Sequence, residues 1–441
     1  MNELIKDVHI AIIGAGMGGL ATALALAKQG FTHISVYEAA SHLGFVGAGI
    51  QLAPNMARIL DRLGCWVEIE KEAVDLKETS IRQGDTDTEL THVDLRYIRE
   101  TYSYPHMVVH RASLATALFN ACKRSPSITF NFSTTISPIH TFSPLPTFSA
   151  TPRYSPPYTV TCSILLACDG VKSPTRTSLL TALNAHADIL DTSQAAYRIM
   201  LSRAQLTPFP HLLALLDSQA VTRWIGPSRH IIAYPVSSHT IYNISTVQPD
   251  TNFAAAPSAT YTTRGSKTSM LETFSDFCPR VQEMLQLVPD TEVCEWKLRV
   301  HPPLPTWIHG CVALVGDAAH PTLPHLAQGA AQAIEDAAVL GVVLSKCPDT
   351  SPESINKSLK VYEKVRKERA EILVELAAQS GRELHLGEGK AREERDRVFR
   401  EGGAEGKVPD KWADREVQGM VYGFDCVEIA EGCFEKVFRA L

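Results

Sequence analysis

One stretch, Ile10-Ala11-Ile12-Ile13-Gly14-Ala15-Gly16-Met17-Gly18-Gly19, constrains this chain more than any other. Residues 8–13 form a short apolar run that reads as a buried strand. Residues 18–29 then take helical spacing, and residues 33–38 read as a second strand. Such a strand–turn–helix–strand unit implies a parallel sheet covered by helices. Within the turn, Gly14, Gly16 and Gly19 spell GxGxxG. The first glycine permits the tight turn, the second lets backbone approach a pyrophosphate, and the third lets helix and strand pack closely. The helix start adds free N–H groups and partial positive charge for phosphates. Glu38 ends the second strand 19 residues after Gly19, where a carboxylate accepts hydrogen bonds from a ribose. The unit predicts dinucleotide binding and leaves FAD and NAD unseparated.

Residues 10–27 are apolar enough to suggest a signal or membrane helix, but Glu3, Lys6 and Asp7 precede them and the glycines break them. No other stretch approaches a spanning length. With 42 Lys+Arg against 48 Asp+Glu, the net charge of −6 gives no reason to expect nucleic acid or an anionic membrane as partner. Ten scattered cysteines without a CxxC pair read as free thiols of a reducing compartment. The expectation is a cytoplasmic protein, monomer or homodimer.

At 441 residues the chain suits two or three domains. Helical patterns at 54–64 and 111–124 and strand patterns at 126–133 and 158–168 extend the first unit. The Pro/Ser/Thr-rich segment 137–157 between them reads as a mobile surface loop. Strand-like runs at 197–202, 220–225, 230–236 and 240–248, then a helix near 269–287, read as a second sheet-based domain. A buried strand returns at 311–316 with a helix at 328–345, so the first domain is discontinuous. The division expected is a Rossmann-type domain over 1–182 and 298–350, a β-sheet substrate domain over 183–297, and a C-terminal helical region over 351–441. The alternating charges of 360–376 read as a solvated helix face.

Two further motifs follow strands. Gly316-Asp317-Ala318-Ala319-His320-Pro321, with Pro324 and Ala327-Gln328-Gly329-Ala330, puts an acidic group at a strand end and small residues before a helix start. Asp169-Gly170-Val171-Lys172-Ser173-Pro174 reads on its own as a turn and helix cap.

In this order and spacing the three motifs resemble the class A FAD-dependent aromatic hydroxylases, most closely the salicylate-hydroxylase-like branch. Supporting stretches are Val46-Gly47-Ala48-Gly49-Ile50-Gln51, His110-Arg111, Ala196-Tyr197-Arg198, Trp224-Ile225-Gly226-Pro227, His230, and Tyr234-Pro235 with Asn243. The resemblance implies that Gly14, Gly16 and Gly19 hold the FAD pyrophosphate and Glu38 the adenosine ribose. It places Gly49 and Arg111 along the FAD chain, Asp169 in a motif shared between FAD and the nicotinamide, Asp317 at the ribityl or pyrophosphate region, and Gly329 and Ala330 beside the isoalloxazine. It implies FAD, NADH or NADPH, and O2, with a flavin 4a-hydroperoxide delivering oxygen to a small phenolic or aromatic-acid substrate. The sequence departs from the pattern at Val300-His301, where relatives often carry Asp-Arg.

Arg198 and Tyr234 are the candidates for the substrate's carboxylate or phenolic oxygen, with a structural ion pair and a core aromatic as the bland alternatives. His320 is a candidate proton relay against simple packing in the turn. No metal site is expected, since the histidines near 320 lack ligand spacing. A dearomatising hydroxylase of larger polyketide-type phenols, a nicotinamide-only dehydrogenase, a flavin oxidase and a non-catalytic FAD-binding protein remain as alternatives.

Overall fold

The computed structural model describes residues 3–44, 48–251, 262–401, 411 and 414–441. Val46 and Gly47 of the resemblance lie outside them.

The strand Ile10–Ile13 is buried on both faces, as its unbroken apolar run requires. It pairs in parallel with Ile34–Tyr37 on one side and Ile164–Ala167 on the other. Val312–Leu314 and Ile128–Asn131 extend the parallel sheet outwards, and Ile308–His309 adds an antiparallel edge to make six strands. The helices Met17–Lys28 and Gly329–Ser345 lie against each other over this sheet. They approach closely because Gly341 has no side chain: a Cβ there would stand 3.3 Å from Ala25.

A second sheet has eight strands, in the order Thr262–Arg264, Cys294–Val300, Leu190–Ser202, Ile241–Pro249, Arg229–Val236, Ala220–Gly226, Glu78–Gln83, Glu89–Asp94. Its last two strands come from within the first 182 residues, so the second sheet borrows chain from the segment expected to be wholly Rossmann-type. Its side chains alternate. Tyr197, Ile199, Leu201, Trp224, Ile231, Ala233, Tyr242 and Ile244 enter one apolar core with helices Pro210–Asp217, Lys267–Thr273 and Pro279–Gln286. Their neighbours Ala196, Arg198, Arg223, His230, Ile232, Tyr234, Ser245 and Val247 take the other face, which lines a cavity. The single helix expected near 269–287 is two, since Pro279 opens the second.

Segment 137–157 is not a plain loop. Thr147–Pro152 is the central strand of a three-stranded antiparallel sheet with Thr134–Ile136 and Tyr158–Thr161. Phe148 is its anchor, fully buried and edge-on to Tyr37 at 5.3 Å. The strand expected over 158–168 divides here, for Tyr158–Thr161 and Ile164–Ala167 belong to different sheets.

The C-terminal region is helical, led by Pro352–Leu384. Its charged stretch is only partly solvated: Arg366 is fully buried and Arg369 nearly so. Among the described residues no helix is long and apolar enough to cross a membrane. All ten cysteines are free.

Candidate active site

A cavity of about 420 Å³ opens between the helix starts of the six-stranded sheet and the inner face of the eight-stranded sheet. Gly14 turns the chain at φ +95°, where a Cβ would meet the Cys168 carbonyl at 2.5 Å. Gly19 packs so tightly that a Cβ would lie 2.0 Å from the Gly14 oxygen. Gly16 differs: a Cβ there meets nothing within 4 Å, because the residue borders the cavity. Glu38 accepts hydrogen bonds from the backbone N–H groups of Ala15 and Ala40, both at 2.8 Å, which ties the glycine turn to the second strand.

Asp317 and Arg111 line the cavity. Asp317 keeps much of its surface accessible where it borders the cavity. Burial pushes its pKa up, opposed by His320 and Arg111. Burial lowers the Arg111 pKa, opposed by Asp317. Gly329 and Ala330, at the start of helix Gly329–Ser345, border the same space. So does Gly49, whose N–H donates to Asn243 Oδ1 at 2.6 Å. Asp169 sits just beneath. It accepts from the Thr175 N–H at 3.2 Å and leaves Oδ1 without a partner. Arg176 joins this motif to the next, donating to the carbonyls of Val171 and Ala318. An open glycine cradle, a carboxyl aimed into the void, a deep cation and a helix start are the donor and acceptor set a flavin dinucleotide requires.

Arg198 also lines the cavity. Its guanidinium lies 4.6 Å over the Trp296 ring, and among the described residues no hydrogen bond or ion pair holds it. Burial, with the charge of Arg111, lowers its pKa to about 10. Tyr234 shares this wall, its hydroxyl pKa raised by burial and opposed by Arg198.

His320 is elsewhere. It donates from Nε2 to Asp336 at 2.6 Å, packs on Trp307, and does not line the cavity. It belongs to a buried ionic network. Asp336 also accepts from the Gly316 N–H (2.9 Å) and Arg366 (2.8 Å), and Glu335 accepts from Asn55 (2.7 Å), Arg366 and Arg369. Burial opposes ionisation of Asp336, yet His320 and Arg366 hold its pKa down at about 2. His301, at the departure from the family pattern, is buried, with Nδ1 donating to the Pro302 carbonyl at 2.8 Å.

Sequence reasoning left Arg223, His230, His325 and His385 without roles. His230 and Arg223 were within reach of strand alternation: His230, Ile232 and Tyr234 share a face, and Arg223 pairs with Ile232 on the next strand. His325 and His385 carried no such signal. Folding brings His230, His325 and His385 together with their ring nitrogens within 4.8 Å of one another, a trio that could hold a metal ion and that local spacing did not predict.

Residues 7–377 match the family model of the FAD binding domain, and the chain belongs to that family. It is 30% identical over 388 residues to the FAD-dependent monooxygenase ntnJ of Nectria sp, covering 88% of this chain and 87% of the relative. It is equally 30% identical to the 3-hydroxybenzoate 6-hydroxylase of Klebsiella oxytoca, covering 87% and 90%. A solved salicylate hydroxylase substrate complex superposes with a TM-score of 0.77 at 22% identity, covering 98% of both chains. The protein is a flavin monooxygenase of the FAD-dependent aromatic hydroxylase family, and it binds FAD.

Proposed function

We propose that this enzyme uses NADH or NADPH and O2 to hydroxylate a small, anionic aromatic substrate, a phenol or hydroxylated aromatic acid. The observation that carries this reading is Arg198, a deep guanidinium in the cavity without a carboxylate partner among the described residues. A half-buried, largely desolvated cation of this kind is costly unless an anion joins it. Arg111 and Arg223 add two further positive charges to the wall, while among the described residues the only carboxylate lining the cavity is Asp317.

Bound FAD would supply hydride acceptance from the nicotinamide and activation of O2. Gly14, Gly16 and Gly19 would seat its pyrophosphate, Glu38 would bind the adenosine ribose, and Arg111 and Asp317 would hold the ribityl chain. The positive end of helix Gly329–Ser345 would favour negative charge on the flavin ring. Arg198 would fix the substrate's carboxylate or phenolic oxygen, and its planar fork suits two oxygens better than a lysine does. Tyr234 would border the ring. His230, neutral in this wall, would accept the phenolic proton, which makes the ring electron-rich. The packing of the two sheets around the cavity would limit the access of water to the reacting centre.

Arg198→Lys tests the reading. Flavin content and melting temperature should stay unchanged, while phenol-stimulated NAD(P)H oxidation falls and more of the remaining turnover ends in hydrogen peroxide, because a misplaced ring misses the oxygen. Normal affinity with a normal product-to-NAD(P)H ratio would remove Arg198 from the substrate site.

A further inference from the structure

His230, His325 and His385 come from three distant parts of the chain and meet at the cavity wall, with ring centroids 5.0 to 5.4 Å apart. His230 and His325 line the cavity. His385 does not: it follows helix Pro352–Leu384, keeps part of its surface accessible, and stands two residues before the exposed Gly387. His230 Nδ1 lies 2.7 Å from His385 Nε2. The Ser228 N–H donates to the His385 carbonyl at 3.0 Å, so the turn that delivers His230 is also bonded to the backbone of His385.

We infer that His230 and His385 form a two-imidazole relay that carries the substrate's phenolic proton from the cavity to the protein surface, with His385 as the positioning and exit group. The inference rests on the phenol-hydroxylase reading above. In the tautomer where His230 Nδ1–H donates to His385 Nε2, the lone pair of His230 is on Nε2. The substrate O–H bond breaks and its proton joins His230 Nε2. The His230 Nδ1 proton passes to His385 Nε2, and the His385 Nδ1 proton leaves to water. One phenol becomes one phenolate and one proton in solvent. The reverse transfer restores both tautomers when the product oxygen is protonated for release.

A single buried base would serve poorly here. Burial comes first in holding His230 neutral, and His385, His325 and Arg223 add to it. His385 faces Arg223 from strand Ala220–Gly226, Arg395 from helix Lys390–Glu401, and the other two imidazoles. Arg395 is compensated by Asp396 at 2.7 Å. Neither imidazole in the pair is placed to store a proton, so the hydrogen bond between them hands it on. Arg223 equally disfavours a resident divalent cation, and no carboxylate belongs to the trio.

The test uses the flavin-loaded enzyme and His385→Gln, which keeps a hydrogen-bonding side chain that does not titrate. Two quantities are followed with a phenolic substrate: the pH profile of kcat, and the ultraviolet shift from phenol to phenolate on binding. Flavin content and melting temperature report any structural effect. The variant should slow ionisation of the bound substrate about tenfold or more and move the acid limb of the kcat profile to higher pH, with recovery in imidazole buffer. Phenol-stimulated turnover with an unaltered pH profile and ionisation rate in H385Q would overturn the relay alone. No phenol-stimulated NAD(P)H oxidation in the unaltered enzyme would overturn the hydroxylase reading and the relay with it. Visible bands from stoichiometric Co2+ that vanish in H385Q would also overturn it, by making the trio a metal centre.

Discussion

Gly49 N–H donates to Asn243 Oδ1 at 2.6 Å, and this bond joins the strand Gly49–Leu52 to the inner face of the eight-stranded sheet. The approach leaves no room for a side chain. A Cβ on Gly49 would stand 2.5 Å from the Tyr234 ring and 2.7 Å from Asn243. Gly49→Ala should therefore push Tyr234 off its place on the cavity wall. Binding of a phenolic ligand, followed by flavin absorbance, should weaken by about tenfold while FAD remains bound, since a shift of about an ångström at a substrate-positioning group costs this much or more. Unchanged ligand affinity would show that the ring relaxes freely.

The three glycines of the phosphate turn should separate by function. Gly16→Val adds a side chain toward open cavity, so the variant should fold with a near-normal melting temperature and purify with little flavin. Gly19→Ala drives a methyl against the Gly14 carbonyl and should lower stability or prevent folding outright. Absorbance at flavin wavelengths per mole of protein, beside a melting curve, distinguishes the two. Stoichiometric flavin in Gly16→Val would mean that the pyrophosphate does not pass this residue.

Much of this architecture was legible from local pattern. The glycine turn, its flanking strands and the returning strand before Asp317 declare themselves because each is a short-range device whose residues are close in sequence. Arg198 and Tyr234 could be singled out because a charge or a phenol in an otherwise apolar strand needs a partner. The failures are long-range. The packing of His320 in its turn was foreseen beside the relay reading, but its partner Asp336, from the following helix, was not. Arg366 and Arg369 looked like a solvated stripe because their carboxylate partners lie about 30 residues earlier, on another helix. Segment 137–157 looked loose because proline, serine and threonine mask a strand held by Phe148 and its cross-strand pairs. The histidine trio has no local signature, as only the packing of His385 against the sheet assembles it.

The network behind the flavin site makes its own prediction. Arg366→Met should destabilise the protein by about 3–5 kcal/mol in urea titration, because it strands Asp336 and part of Glu335 as buried charges. The sign of its pH dependence follows from the same pair. In the parent, Arg366 helps hold both carboxyl pKa values below their ordinary range, so its contribution is complete above the unfolded carboxylate values and is lost as pH falls through the folded ones. Without Arg366 those pKa values rise, and protonation relieves the buried charge. The deficit should therefore be largest near neutral pH and shrink toward about pH 4. A deficit constant with pH would assign the loss to packing alone.

His325 should make the protein more stable when it is removed. Both of its ring nitrogens lack a hydrogen-bond partner, its side chain is buried, and the ring fits only because Gly381 offers no Cβ, which would lie 2.6 Å away. Burial first, then His385 and Arg223, lowers its pKa to about 3. A histidine whose folded pKa lies below its unfolded value stays neutral in the fold while the unfolded chain takes up a proton. The resulting penalty is absent above about pH 6.5 and grows as pH falls toward 3, at up to about 1.4 kcal/mol per pH unit. His325→Leu removes both the unpartnered nitrogens and this proton uptake. Stability should rise by about 1–2 kcal/mol at neutral pH, the cost of one buried unsatisfied group. It should rise further at pH 5, so the slope of stability against pH between 5 and 6.5 becomes shallower. Urea titrations of both proteins at two pH values measure this. Lower stability at pH 7 with an unchanged slope would mean that the histidine ring is held by a partner, such as an ordered water, that leucine cannot replace.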